Sequence, residues 1–88
     1  MELPIDGVLD LPAFAARDVP ALVGDYLDAC RARGVLDVRI VHGKGTGALR
    51  RTVAAVLARR GDVEWTRAAD EGAGGWGATL VRLAPAPP

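Results

Sequence analysis

The stretch Val38-Arg-Ile-Val-His-Gly-Lys-Gly-Thr-Gly-Ala-Leu-Arg-Arg51 decides the fold. Its first residues close a β-branched, alternating run, Val35 to Val41, with Leu36, Val38 and Ile40 on one face, which predicts a strand. After Gly47 the apolar positions Leu49, Val53, Val56 and Leu57 recur at helical spacing, predicting a helix to Arg60 with Gly61 as its stop. Between strand and helix lies a glycine-rich turn. His42, the only histidine, stands where the strand ends, and Lys44, the only lysine, lies between Gly43 and Gly45. Alternate glycines remove Cβ atoms and allow positive φ, so a bulky ligand can approach the main chain. The helix start adds unpaired N–H groups and a partial positive charge. Gly43, Lys44, Gly45, Thr46 and Gly47 are therefore candidate phosphate-binding residues. Such turns also occur simply to reverse the chain, and two nucleotide patterns fail here. The first glycine of a P-loop is missing upstream of Lys44, and Gly47 comes one residue early for a dinucleotide fingerprint.

Working outward, Gly7 to Leu11 reads as a short strand stopped by Pro12. Asp10 within it is either on the solvent face or held for chemistry at the sheet edge. A helix follows, with Asp18 as N-cap, Pro20 in the first turn and Gly34 at the end. Leu22, Val23, Tyr26, Leu27 and Cys30 form its apolar stripe, which makes Cys30 a core residue. Two strands joined by a helix favour a parallel βαβ unit, whose carboxyl ends, Leu11-Pro12 and Val41-His42, lie side by side. Val63 to Ala68 and Ala78 to Leu83 complete four strands, with Trp65 assigned to the core. Trp76, in the glycine-rich connection between them, either stacks on a base or sugar or lids the core. The expected order is β-α-β-α-β-β: an α/β two-layer sandwich with a four-stranded mixed sheet and two helices. The domain spans 7–83, between a flexible lead-in, 1–6, and a Pro-rich disordered tail, 84–88.

Eleven Lys and Arg balance eleven Asp and Glu, so the overall field does not advertise a nucleic-acid partner. The distribution says more. Asp18, Asp25 and Asp28 fall on the first helix, whereas Lys44, Arg50, Arg51, Arg59 and Arg60 fall on the turn and second helix. Arg59 and Arg60 suit a helix C-terminus whatever the function, but Arg50 and Arg51 stand in the first turns, where a cation is disfavoured unless an anion is near. They join the candidate binding residues. A single Cys excludes an intramolecular disulfide and suggests a reducing compartment, and one Cys with one His cannot build a zinc site. No run reaches membrane-spanning length and the N-terminus lacks a signal-peptide layout, so no membrane partner and a cytoplasmic location are expected.

Three segments together resemble a known family. His42-Gly-Lys-Gly-Thr-Gly47 with Leu49-Arg50 resembles the signature loop of the Smr (small MutS-related) domain. Val8-Leu-Asp-Leu11 looks like the start of its Leu-Asp-Leu-His motif, and Gly74-Gly-Trp-Gly-Ala-Thr79 like its segment before the last strand. The resemblance runs from Gly7 to Leu83. It implies a fold similar to the C-terminal domain of bacterial translation initiation factor three, nucleic-acid binding and, in many members, nicking of DNA or cleavage of RNA. Members occur attached to mismatch-repair-type or recombination-suppressing ATPases, attached to RNA-binding repeats, or alone; a chain starting at Met1 without an ATPase resembles a stand-alone member or an excised domain. One departure stands out: Pro12 replaces the motif histidine and Ala13 a common glycine. Proline can neither transfer a proton nor bind a metal, and losing a general acid–base group typically costs about a hundred- to ten-thousand-fold in rate.

Two main hypotheses follow. In an endonuclease, the amides from Gly43 to Gly47 with Lys44 hold the scissile phosphate, His42 acts as general acid or base, and Asp10 orients it or activates the nucleophile. The expected cofactor set is empty, or one weakly held divalent ion at Asp10. In a non-catalytic module, the same loop docks a DNA or RNA phosphate backbone and cuts nothing. A protein-interaction domain with a purely structural loop is the third reading.

Overall fold

The computed structural model describes residues 3–43, 47–69 and 77–88. Strand β1 (Val8–Asp10) leads through short 3-10 turns, Leu11–Ala13 and Ala16–Asp18, into helix α1 (Val19–Ala32). Strand β2 (Asp37–Val41), helix α2 (Ala48–Ala58) and strands β3 (Val63–Ala68) and β4 (Ala78–Leu83) follow. The sheet order is β1-β2-β4-β3, with β1 parallel to β2 and the other neighbours antiparallel. This is the expected four-stranded mixed sheet with two helices, and β3 and β4 have the expected limits.

Both helices pack on one face. Leu9, Val38, Ile40, Val81 and Leu83 from the sheet meet Val19, Val23, Tyr26, Leu27 and Cys30 of α1 and Val53 and Leu57 of α2 in one buried cluster. Each fully buried side chain of this kind contributes roughly 1.5–3 kcal/mol of transfer free energy. Leu49 and Val56 pack against the same cluster, as their spacing implied. Cys30 is in the core, and burial pushes its thiol up from the ordinary value.

The ends of α1 follow local rules with one exception. Gly34 takes φ +75°, its N–H bonds the Arg31 carbonyl, and the Val35 N–H bonds that of Cys30, which is a Schellman stop. Asp18 occupies the N-cap position but makes no capping hydrogen bond, because the preceding 3-10 turn already puts its backbone in the helical region. The other helix stops differently. Gly61 was expected to end α2, yet the helix ends at Ala58, and Arg60 ties the exit down instead. Its guanidinium bonds Asp62 at 2.7 and 2.9 Å, Asp28 at 2.8 Å and the Gly24 carbonyl at 3.3 Å, joining α2 to α1.

Trp65 corrects the sequence reading. It is 42% exposed rather than core. Val63 pairs with Leu83 and Trp65 with Arg82, so Glu64 is an extra residue in a β-bulge. Simple alternation puts Val63 and Trp65 on one face; the bulge sends them to opposite faces. Strand β3 is also an edge strand, and all its residues after Val63 are exposed.

The chain segments outside the sheet are anchored at several points. Leu3 and Ile5, in the segment expected as a loose lead-in, pack against the core. The Tyr26 hydroxyl accepts from the Gly7 N–H at 3.1 Å and faces the carbonyls of Pro4 and Val8 at 3.2 and 3.1 Å. After β4, the Ala84 and Pro85 carbonyls accept from Arg31 at 2.9 and 3.1 Å. Because β1 and β2 are parallel and β4 opposes them, the chain enters β1 and leaves β4 at one end of the sheet, and the strand-to-helix turn lies at the other.

Candidate nucleic-acid interface

The turn is built by two glycines with positive φ and a carbonyl from another strand. Gly43 (φ +75°) ends β2 and Gly47 (φ +85°) precedes α2, a conformation that only glycine adopts at little cost. The Gly77 carbonyl, just before β4, accepts from the N–H groups of His42 at 2.7 Å and Gly43 at 2.9 Å. A methyl group on Gly77 would lie 3.3 Å from the Gly43 Cα, so the two backbones touch. The Gly43 amide is thus already bonded, and this glycine serves the site through its missing Cβ and its φ. Lys44, Gly45, Thr46 and Trp76 lie outside the described residues.

His42 is 5% exposed. Its Nδ1 lies 3.1 Å from the Gly43 carbonyl, which can only accept, so in the neutral ring Nδ1 carries the proton and the Thr79 hydroxyl donates to Nε2 at 2.9 Å. Both nitrogens are occupied. Thr79 pairs with Ile40, whose side chain is in the core, so the imidazole lies on the helix-covered side of the sheet. Asp10 pairs with Val41 and is exposed, on the opposite side, and no hydrogen bond joins it to His42. The structure therefore does not bring the two proposed catalytic side chains together. Parity carried this information: Asp10 falls between the inward Leu9 and Leu11, whereas His42 keeps the parity of Ile40. Among the described residues no three His, Cys, Asp or Glu side chains gather in a way that could hold a metal ion.

The helix start matches the sequence reading more closely. No acidic residue stands in the first turn of α2, and its N-cap residue, Gly47, has no side chain to cap it with. A methyl on Gly47 would lie 3.2 Å from Arg51 Nη1, which places that guanidinium beside the turn. Arg50 and Arg51 are exposed and form no ion pair among the described residues. Pro12 borders the same turn, its Cγ 3.7 Å from where a methyl on Gly43 would be. Two residues with roles here, Gly77 and Thr79, entered the sequence reading only as part of the Gly-Ala-Thr segment of the family resemblance and not as site residues; they lie more than thirty residues from His42 and Gly43, which they hold.

The Smr domain family model matches residues 9–84. The chain belongs to the Smr domain family. An endonuclease MutS2 of Clostridium botulinum is 38% identical over 79 residues, covering 90% of this chain and 10% of that protein. The Thermus thermophilus endonuclease MutS2 is 39% identical over 77 residues, covering 88% of this chain and again 10% of the relative. The chain thus spans about a tenth of the length of these relatives. The crystal structure of the Smr domain of Thermus thermophilus MutS2 superposes with a TM-score of 0.82 at 38% identity, covering 89% of this chain and 98% of that one. YdaL, a stand-alone small MutS-related protein from Escherichia coli, matches with a TM-score of 0.83 at 28% identity, covering 94% of this chain and 68% of that one. Among the described residues of this Smr domain no helix is long and apolar enough to cross a membrane.

Proposed function

We propose that this Smr domain binds nucleic acid by taking a backbone phosphate of DNA or RNA at the turn between β2 and α2, with phosphodiester cleavage weakened. The observation that carries the reading is the start of α2: a helix N-terminus with glycine at its N-cap, behind two positive-φ glycines, without an acid in its first turn and flanked by Arg50 and Arg51. Lys44 adds a cation from within the loop. Three features support weakened cleavage. Pro12 stands beside Gly43 where the family resemblance has histidine, both His42 nitrogens are engaged, and Asp10 faces away. A second reading, an active endonuclease using His42, is favoured by the name of the MutS2 relatives.

Binding and nicking measured side by side separate the readings. Wild-type protein should bind an oligonucleotide with salt-dependent affinity, and Lys44→Ala should flatten the dependence of log K on log salt by about one unit. Supercoiled plasmid should be nicked slowly or not at all by wild type and faster by Pro12→His. Equal turnover by wild type and Pro12→His, lost in His42→Ala, would replace the binding reading by the endonuclease one. A wild type without salt-dependent affinity would remove both.

A further inference from the structure

A groove of about 430 Å3 runs between α2 and the free edge strand β3. Its walls include Arg50 and Ala54 from α2, Trp65, Thr66 and Arg67 from β3, and Thr79 from β4. Because β3 is at the sheet edge, residues from both of its faces border the groove. We propose that this groove holds the single-stranded nucleic acid flanking the phosphate at the turn, with Trp65 as a stacking platform and Arg50 and Arg67 as phosphate contacts. The proposal rests on the phosphate-binding reading above and extends it to the form of nucleic acid bound.

Three observations converge on it. The groove is continuous with the turn, since Thr79 both lines it and holds His42 Nε2 at 2.9 Å, and Arg50 belongs to the first turn of α2. Its charge complements a phosphate backbone. No acidic residue is among the described lining, and although Arg60 is neutralised by Asp62 and Asp28, Arg50 and Arg67 form no ion pair among the described residues. Trp65 is 42% exposed at its wall, with the Arg67 guanidinium 4.7 Å from the ring centroid. An exposed indole beside an arginine is the arrangement on which unpaired bases stack without sequence preference. The volume suits a nucleotide-sized group, whereas a duplex keeps its bases inside its own stack and is too wide to enter.

The test uses the whole chain and two probes, a fluorescein-labelled oligothymidylate and a duplex of the same length, titrated by fluorescence anisotropy at several salt concentrations. The single strand should bind more tightly than the duplex. Trp65→Ala should weaken the single strand by about five- to a hundredfold and leave the duplex unchanged, with Trp65→Phe restoring most of the loss. Arg67→Ala should lower the salt slope for the single strand by about one unit. In a Trp76→Phe background Trp65 is the only tryptophan, and its emission should be quenched by oligothymidylate. Binding that is lost in Lys44→Ala but unchanged in Trp65→Ala and Arg67→Ala, with Trp65 emission unmoved, would overturn the groove and leave the turn as the phosphate site. No salt-dependent affinity of wild type for either probe would end both.

Discussion

The two ends of α2 have opposite electrostatics. At the exit, Arg60 has its charge matched by Asp62 and Asp28 and a further N–H given to the Gly24 carbonyl, and the Arg60 and Asp62 side chains are only 16% and 13% exposed. At the entry, Arg50 and Arg51 find no acid among the described residues, although a cation there opposes the helix dipole. A folded chain gains stability from the first arrangement and forgoes it in the second. The paired end belongs to the fold; the end whose arginines meet no acid among the described residues leaves room for a ligand's charge.

Breaking the satisfied end should have the largest effect on folding. Asp62→Ala removes two of the charged hydrogen bonds of Arg60, leaving the one to Asp28, and should cost about 1.5–3 kcal/mol, read from urea unfolding. The same pair sets an acid limit on stability. The Arg60 hydrogen bond, helped by its charge and opposed by desolvation, holds the Asp62 carboxyl below the usual carboxylate range. Its contribution is therefore complete above the ordinary aspartate value of about 4 and is lost as pH falls through the lower folded value. Stability of wild type should drop over that interval more than that of Asp62→Ala.

Giving the entry an acid of its own tests the other half of the comparison. Ala48→Asp places a carboxylate at the first position of α2 and should stabilise the fold by about 0.3–1 kcal/mol. It should also weaken oligonucleotide binding by roughly tenfold, since the new charge faces the same N–H groups as the phosphate. Stability and affinity moving in the same direction would show that the helix start is not the docking point. The smallest effect belongs to Arg51→Ala, which should leave the unfolding midpoint within about 0.5 kcal/mol and lower the salt slope of binding by about one unit.

Much of this was legible because local rules decide it. Strands β3 and β4 could be bounded from alternation, and Gly34 from its place after the α1 stripe. Trp65 was misplaced because a bulge at Glu64 shifts parity by one residue, and nothing in a single sequence marks such an insertion. Arg59 and Arg60 looked equivalent as helix-end cations; only tertiary packing brings Asp28 to Arg60. At the site, the glycines and the sole lysine announced the turn, but Thr79 and the Gly77 carbonyl act across a sheet pairing that no local pattern encodes. Asp10 and His42 were adjacent along the strand ends and yet divided by the sheet, a separation that parity alone could have exposed.

The shared floor through which the backbone enters β1 and leaves β4 has a practical corollary. A polypeptide tethered behind the segment that Arg31 holds at Ala84 and Pro85 would start from the side remote from Gly43 and keep the rim clear. Fusion behind β4 should therefore leave oligonucleotide affinity unchanged, so a domain of this shape can be carried on the end of another polypeptide.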